Sequence, residues 1–145
     1  MRHLLLLAVY ACLSVPAFAA DAERDAVVKV VTDAYIDGVH KTPSSAAMRA
    51  GFHPDFRMLV LANGRLDSVA LEEWISRLEK AAATSATAKR PEVRAEIPNV
   101  EVTGTAANVR VEIWRDGKHV FSDHLLLYKL ADGWKIVAKT FYTHP

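Results

Sequence analysis

The segment SDHLLLYKLADGWKIVAKTF, Ser122–Phe141, contains two long runs of leucine, β-branched and aromatic residues, separated by Asp132-Gly133. An Asp-Gly pair between two such runs is a strong hairpin signal, because both residues tolerate the positive φ angles of a tight turn. Each run is apolar on both faces, which is typical of strands that lie centrally in a sheet or against a partner. The segment therefore predicts a hairpin of two strands buried on both sides.

Two further turn signals, Thr103-Gly104 and Asp116-Gly117, lie upstream and divide the C-terminal part of the chain into four β-type runs. In the run over residues 109–113, valine and isoleucine alternate with Arg110 and Glu112. Alternation of this kind indicates a strand with one buried face and one wet face. Short turns between consecutive runs predict an antiparallel meander.

The N-terminal part of the chain has helical patterns instead. Apolar residues recur at helical spacing over residues 21–39, and Thr42-Pro43 is typical of the start of a short second helix that ends by Gly51. Asn63-Gly64 then predicts a hairpin, and Ser68 is placed to cap a third helix with one apolar stripe. The order of these elements predicts an α+β domain, with three helices on one face of a curved antiparallel sheet.

The first 20 residues have the pattern of a secretory signal peptide. Arg2 precedes an apolar run too short to span a bilayer, and Ala17-Phe18-Ala19 supplies the small residues of a cleavage site. We expect cleavage after Ala19 or Ala20, a single domain over residues 21–145, and an exported, periplasmic protein. Cys12 lies within the signal and is the only cysteine, so a lipoprotein form anchored there stays an alternative.

Charge and composition narrow the range of partners. Cleavage removes Arg2, one of the 18 basic residues, and no acidic residue, which leaves 17 of each sign. A formally neutral domain has no basic excess for a nucleic acid or an anionic membrane surface. Without Cys12 the mature chain has no thiol, and the remaining histidines lack the short paired spacing of zinc ligands: His40, His53, His119, His124 and His144. We therefore expect no metal and no cofactor.

Three segments resemble the nuclear transport factor 2-like superfamily: AYIDG in the first helix, GFHPDFRM before the first strand, and DHLLLYKLADGWKIVAKTF at the end. The resemblance covers residues 26–141 and is strongest to the subgroup described as putative lumazine-binding. It implies a cone-shaped roll, in which helices close a curved sheet over a pocket. The superfamily includes ketosteroid isomerases, SnoaL-like cyclases, dehydratases and many binding domains without catalytic activity.

The resemblance to the ketosteroid isomerases has one departure. Their pattern places a catalytic base near Val60, where this chain has no carboxylate, a tyrosine within one residue of Tyr35, and an acid on Asp123. The resemblance thus implies two hydrogen-bond donors without the proton acceptor, which argues against that isomerisation. Arg110-x-Glu112 is similar to the acid-base strand of epoxide hydrolases in this superfamily, but alternation makes it an outer-face ion pair.

Candidate binding residues follow from strand parity and helix phase. Asp123 either points into the cone as a donor or is a solvated residue at a strand entry, and His124 has the opposite parity, so the two form no dyad. Lys139, in an otherwise apolar strand, either faces inward or lies at a solvated edge, and Tyr35 fits both core and pocket. We expect Tyr35, Asp123 and Lys139 to orient a ligand, between apolar walls formed by Phe56, Met58, Trp74 and Phe141.

The sequence therefore predicts an exported domain that binds a small, partly apolar molecule. One alternative is a small cofactor-free isomerase, cyclase or dehydratase that uses Asp123 with Tyr35. Another is an interaction module that forms a homodimer through the last strands of its sheet.

Overall fold

The computed structural model describes residues 17–85 and 89–145. Most of the predicted signal peptide, including Cys12, lies outside these residues. Helix α1 begins at Ala17, so the expected cleavage after Ala19 or Ala20 falls in its first turn. None of the helices in the described part of the chain is long and apolar enough to cross a membrane.

The first helical run is longer than predicted and changes type along its length. Helix α1, Ala17–Val30, continues directly into a π-helical segment, Val31–Lys41. The expected start at Asp21 is therefore wrong, because the helix already contains the four residues before it. The π-helical segment carries the side chains that enter the core: Val31, Ala34, Tyr35, Ile36 and Val39.

Two predicted helix caps are wrong. Helix α2, Ser45–Gly51, is capped by Ser44 rather than Thr42, because the Ser44 hydroxyl accepts a hydrogen bond from the backbone N–H of Ala47 at 3.2 Å. Helix α3, Leu71–Thr84, follows Ala70 and has no side-chain cap. Ser68 cannot cap it, since it pairs with Leu59 in the first hairpin of the sheet.

The six strands form one sheet in the order β2-β1-β6-β5-β4-β3. Their bounds are β1 Phe52–Ala62, β2 Arg65–Ala70, β3 Val93–Thr103, β4 Ala106–Arg115, β5 Lys118–Leu130 and β6 Gly133–Thr143. The predicted antiparallel meander is confirmed for β3 to β6. Strand β1 pairs with β6 in parallel, a long-range contact that no local pattern predicted.

Two of the four predicted hairpin turns have the expected backbone, whereas at Asp132-Gly133 only Gly133 has a positive φ angle and it already pairs with Leu130. Asn63 and Gly64 have φ angles of 51° and 74°, and Asp116 and Gly117 have φ angles of 49° and 79°. Two successive residues with positive φ match the right-handed twist of the flanking strands. The three helices and the curved, unclosed sheet give the predicted α+β architecture.

The inner face of the sheet packs against the helices, and the outer face does not. On β5 the buried residues Asp123, Leu125 and Leu127 alternate with exposed neighbours. Leu126 and Tyr128 are 51% and 53% exposed, and Tyr142 on β6 is 60% exposed. The prediction that both strands are buried on both faces is wrong, because their outer side chains face solvent rather than another described element.

Helix α2 packs very closely on the π-helical segment through Gly51. A Cβ atom added at Gly51 would lie 2.2 Å from the Cβ of Ala34. Only glycine allows the two helical backbones this approach. The contact fixes the helical layer above β1, and with it the depth at which Tyr35 enters the core.

Candidate functional site

A buried polar cluster lies at the inner face of the sheet, where the π-helical segment meets β5 and β6. The Tyr35 hydroxyl donates a 2.5 Å hydrogen bond to Oδ2 of Asp123, and Nζ of Lys139 lies 2.9 Å from Oδ1 of the same carboxylate. Asp123 is fully buried and Lys139 is only 5% exposed. The structure therefore brings together the three residues that the sequence predicted to orient a ligand.

Strand register explains how this cluster forms. Asp123 lies opposite Phe141, and Lys139 lies opposite Leu125, so the two charged residues occupy neighbouring inward positions of β5 and β6. His124, with the opposite parity, is exposed. The prediction that Asp123 and His124 form no dyad is confirmed.

Lys139 has an unusual environment for a cation. Four aromatic rings surround its ammonium group, with ring centroids 4.5–5.8 Å from Nζ: Phe141, Tyr35, Trp74 and Phe121. Burial lowers the pKa of Lys139, and the nearby charge of Asp123 opposes that effect only in part. The rings and the carboxylate together replace the water that a lysine normally keeps.

Tyr35 is held as a neutral donor. Burial, then the charge of Asp123 and the hydrogen bond to it, raise the pKa of Tyr35 well above its usual value. The ammonium of Lys139 lies 2.9 Å from Oδ1 of Asp123 and balances the charge of that carboxylate. Both carboxylate oxygens therefore have a neighbour inside the cluster, Tyr35 at Oδ2 and Lys139 at Oδ1.

His40, at the end of the π-helical segment, extends the cluster. Its ring packs edge-on against Tyr35 with centroids 4.9 Å apart. Burial, followed by the charges of Lys139 and Arg115, lowers the pKa of His40 to about 3, so the ring is neutral at physiological pH. Nη2 of Arg115 lies 3.2 Å from Nδ1, which makes Nδ1 the acceptor and places the ring proton on Nε2. Nε2 is buried and has no partner among the described residues.

A pocket of about 430 Å³ opens beside His40. It lies between the end of the π-helical segment, α3 and the edge of β4, and its apolar wall includes Val39, Leu78 and Ala82. The charged residues of its lining are all cationic: Lys89, Arg90 and Arg115. His40 contacts both the pocket and Tyr35, so it separates the open space from the buried carboxylate.

The predicted apolar wall residues all lie in or against the core. Phe56 stacks on Trp74 at 5.8 Å, and Met58 pairs with Lys139 across the parallel strands. Phe141 packs edge-on against Phe121. His40 and Arg115 were missed as site residues, because they are 75 positions apart and only the folded chain joins them.

The outer face contains a second polar cluster around Glu112. The predicted Arg110–Glu112 ion pair is confirmed at 2.5 Å, but the expected solvated carboxylate is not found, because Glu112 is only 5% exposed. Burial would raise the pKa of Glu112, and hydrogen bonds from Ser122, Arg110 and His119 outweigh it and lower the pKa. This carboxylate is therefore held in its charged form inside a network.

Three helices over the inner face of a curved sheet define the cone-shaped class of α+β domains. The family described as "Putative lumazine-binding" matches residues 22–142. The chain belongs to this family, and its fold is that of the nuclear transport factor 2-like proteins.

This chain is similar to several proteins of solved structure and to one characterised protein. An NTF2-like protein of unknown function from Shewanella baltica OS155 is 24% identical with a TM-score of 0.70, covering 86% of this chain and 96% of that one. Another from Methylobacillus flagellatus KT is 26% identical with a TM-score of 0.64, covering 92% and 98%. Aldolase FrzH from a Cladobotryum species is 24% identical over 125 residues, which cover 86% of this chain and 94% of FrzH.

Proposed function

We propose that this protein is an exported domain that binds a small, partly apolar anion, such as an aromatic carboxylate, in the pocket beside His40. One observation carries the proposal. Nε2 of His40 is buried at the wall of the pocket and has no hydrogen-bond partner among the described residues. A buried polar atom without a partner costs about 1–3 kcal/mol, so one beside an open pocket is typical of a site that a ligand completes.

The charge of the ligand follows from the lining. The charged residues that line the pocket, Arg115, Arg90 and Lys89, are all cationic. An anion would offset this excess and would accept a hydrogen bond from Nε2–H of the neutral His40 ring. Val39, Leu78 and Ala82 would contact the apolar part of the molecule.

Native mass spectrometry of freshly purified protein, followed by calorimetric titration with lumazine and with benzoate, tests this proposal. We expect either a retained small molecule or binding of a probe, weakened about tenfold or more in Arg115→Met and His40→Asn, since each loses a polar contact in a partly desolvated pocket. Arg65→Met is the matched control, because Arg65 is exposed on β2. Equal binding in Arg115→Met and wild-type protein would overturn the assignment of this pocket.

A second candidate function is a cofactor-free enzyme that acts on a carbonyl compound. Tyr35 and Asp123 share a short hydrogen bond beside the cation of Lys139, an arrangement that can exchange a proton and hold an enolate. The similarity to Aldolase FrzH supports this candidate. The positive charge of Lys139 would also stabilise the negative charge that develops on an enolate oxygen.

Proton exchange at carbon gives a test that does not require the natural substrate. Small ketones and aldehydes incubated with the protein in D₂O should lose α-hydrogen signals in proton NMR faster than without protein, and Asp123→Asn should remove the acceleration. Lys139→Gln should slow it while leaving Tyr35 and Asp123 in place. Acceleration that persists in Asp123→Asn would exclude this cluster as the catalytic group.

A further inference from the structure

The outer face of the sheet brings together two histidines, a serine and a buried carboxylate. Nε2 of His119 lies 2.8 Å from Oε2 of Glu112, and the Ser122 hydroxyl donates to the same oxygen at 2.5 Å. Nε2 of His144 lies 2.9 Å from the Ser122 oxygen. One ligand atom from each of Glu112, His119 and His144 lies within 4.8 Å of the other two.

A β-bulge in β5 builds this arrangement. Glu112 pairs with Ser122, but two residues further along β4 Trp114 pairs with His119, so one extra residue, Val120, is inserted into β5. A bulge reverses the parity of the residues beyond it. His119 has the odd parity of the inward-facing Asp123, yet its side chain reaches the outer face and meets Glu112.

The same bulge also positions the second histidine. The carbonyl oxygen of Val120 accepts a hydrogen bond from the backbone N–H of His144 at 2.9 Å, just beyond the end of β6. The His144 ring stacks on His119 with centroids 3.7 Å apart, and Trp114 stacks on the other side of His119 at 4.6 Å. One irregularity in the strand thus aims two imidazoles, 25 residues apart in the chain, at one carboxylate.

We propose that Glu112, His119 and His144 bind a divalent transition-metal ion of the zinc type on the outer face of the sheet. Two imidazoles and one carboxylate are a ligand set that zinc prefers, and magnesium or calcium would require more oxygen ligands. Ligands at about 2.0–2.1 Å from a tetrahedral zinc ion are separated by about 3.4 Å. In the present structure Nε2 of His119 and Oε2 of Glu112 are 2.8 Å apart, and the three ligand atoms all lie within 4.8 Å of one another. To bind one ion, the two imidazole rings must turn, and both are only partly buried.

The neighbours of the site support a bound cation. Arg110 bonds Oε1 of Glu112, which orients the carboxylate and leaves Oε2 directed at His119. The Ser122 hydroxyl lies within reach of both Oε2 and His144, as a group that holds the ligands in place. The positive charge of Arg110 opposes a second cation, so we expect micromolar rather than tighter affinity.

This site lies on the face opposite Asp123 and shares no residue with the His40 pocket. Calorimetric titration of protein without a histidine tag tests it, using ZnCl₂, with MgCl₂ for comparison. We expect one equivalent of zinc to bind and magnesium not to bind. His119→Ala and His144→Ala should each weaken zinc binding at least tenfold, while His124→Ala, on the same face of β5, leaves it unchanged.

His144 lies beyond the last strand, so His144→Ala stays informative if His119→Ala fails to fold. Cobalt(II) provides a second readout, since tetrahedral coordination gives intense visible absorption bands that His144→Ala should abolish. Absence of zinc binding up to millimolar concentration, or binding of equal strength in His144→Ala and wild-type protein, would overturn the proposal.

Discussion

The hydroxyl of Tyr35 lies 2.5 Å from Oδ2 of Asp123, which joins the helical layer to the inner face of the sheet across 88 residues of chain. Both side chains are fully buried, so water cannot replace the bond. The bond also fixes one of the two carboxylate oxygens and leaves the other near Lys139. Fold and candidate site therefore share the same contacts.

Tyr35→Phe should destabilise the protein by about 1.5–3 kcal/mol, because a buried hydrogen bond to a charged group is lost without a compensating partner. Urea unfolding followed by circular dichroism measures the change. Tyr142→Phe is the control, since Tyr142 is 60% exposed and should be nearly neutral. Equal effects of the two substitutions would show that the Tyr35 hydroxyl contributes nothing to the core.

The buried ion pair predicts strong coupling between Asp123 and Lys139. Asp123→Asn and Lys139→Met should each cost about 3–5 kcal/mol, since each leaves one buried charge without its partner. The double variant removes both charges and should be more stable than the sum of the single effects predicts. Additive losses in the unfolding free energy would mean that the two charges do not interact.

The low pKa of buried His40 predicts that the fold loses stability in acid. The pKa of His40 is about 3 in the folded protein against 6.5 for a free side chain, so below about pH 6.5 the unfolded chain binds a proton that the folded protein does not. The free energy of unfolding therefore does not depend on His40 above about pH 6.5, and it decreases progressively as the pH falls from 6.5 towards 3. Melting temperatures between pH 7 and 4 should fall less steeply in His40→Asn than in wild-type protein.

The control for this measurement is His124→Asn, whose side chain is exposed and should leave the acid slope unchanged. Parallel slopes for His40→Asn and wild-type protein would contradict the assignment of the buried neutral ring.

Gly51→Ala should be strongly destabilising, because the new methyl would lie 2.2 Å from the Cβ of Ala34 and must push α2 away from the π-helical segment. Overpacking of this kind typically costs about 1–3 kcal/mol. Ala34→Gly in the same chain removes the clash and should restore part of the loss, as judged by thermal unfolding. Failure of that second substitution to restore any stability would place the strain elsewhere.

The exposed apolar side chains of β5 support the predicted homodimer. If Leu126 and Tyr128 form its interface, residues 21–145 should elute as a dimer in size exclusion with light scattering, and Leu126→Lys should shift it to monomer. Leu66→Lys, on the edge strand β2, is the control with similar exposure and should leave the dimer intact. A wild-type monomer at high concentration would exclude the homodimer.

Local patterns were enough for much of the fold. Alternation along β5 separated Asp123 from His124, and the Asn63-Gly64 and Asp116-Gly117 turns located two hairpins, because these signals depend only on neighbours in sequence. Helix ends were less predictable, since Ser44 competes with Thr42 for the same cap.

Long-range geometry was not visible in the sequence. Parallel pairing of β1 with β6 joins distant segments of the chain, and Arg115 meets His40 only in the folded protein. The insertion of Val120 reverses the face of His119, which strict alternation from Asp123 would place on the inner face. Spacing along the chain likewise gave no sign that His119 and His144 stack.

Strand β6 is the last of the described strands and lies between β1 and β5, in the middle of the sheet. Strand β1 therefore cannot join the meander in one sheet until residues 133–143 have left the ribosome. Folding that waits for its final strand is slow and largely post-translational, because distant segments must meet before any contact offsets the lost chain entropy. A nascent chain that stays unfolded during synthesis is compatible with the threading through a secretion channel that the N-terminal signal predicts.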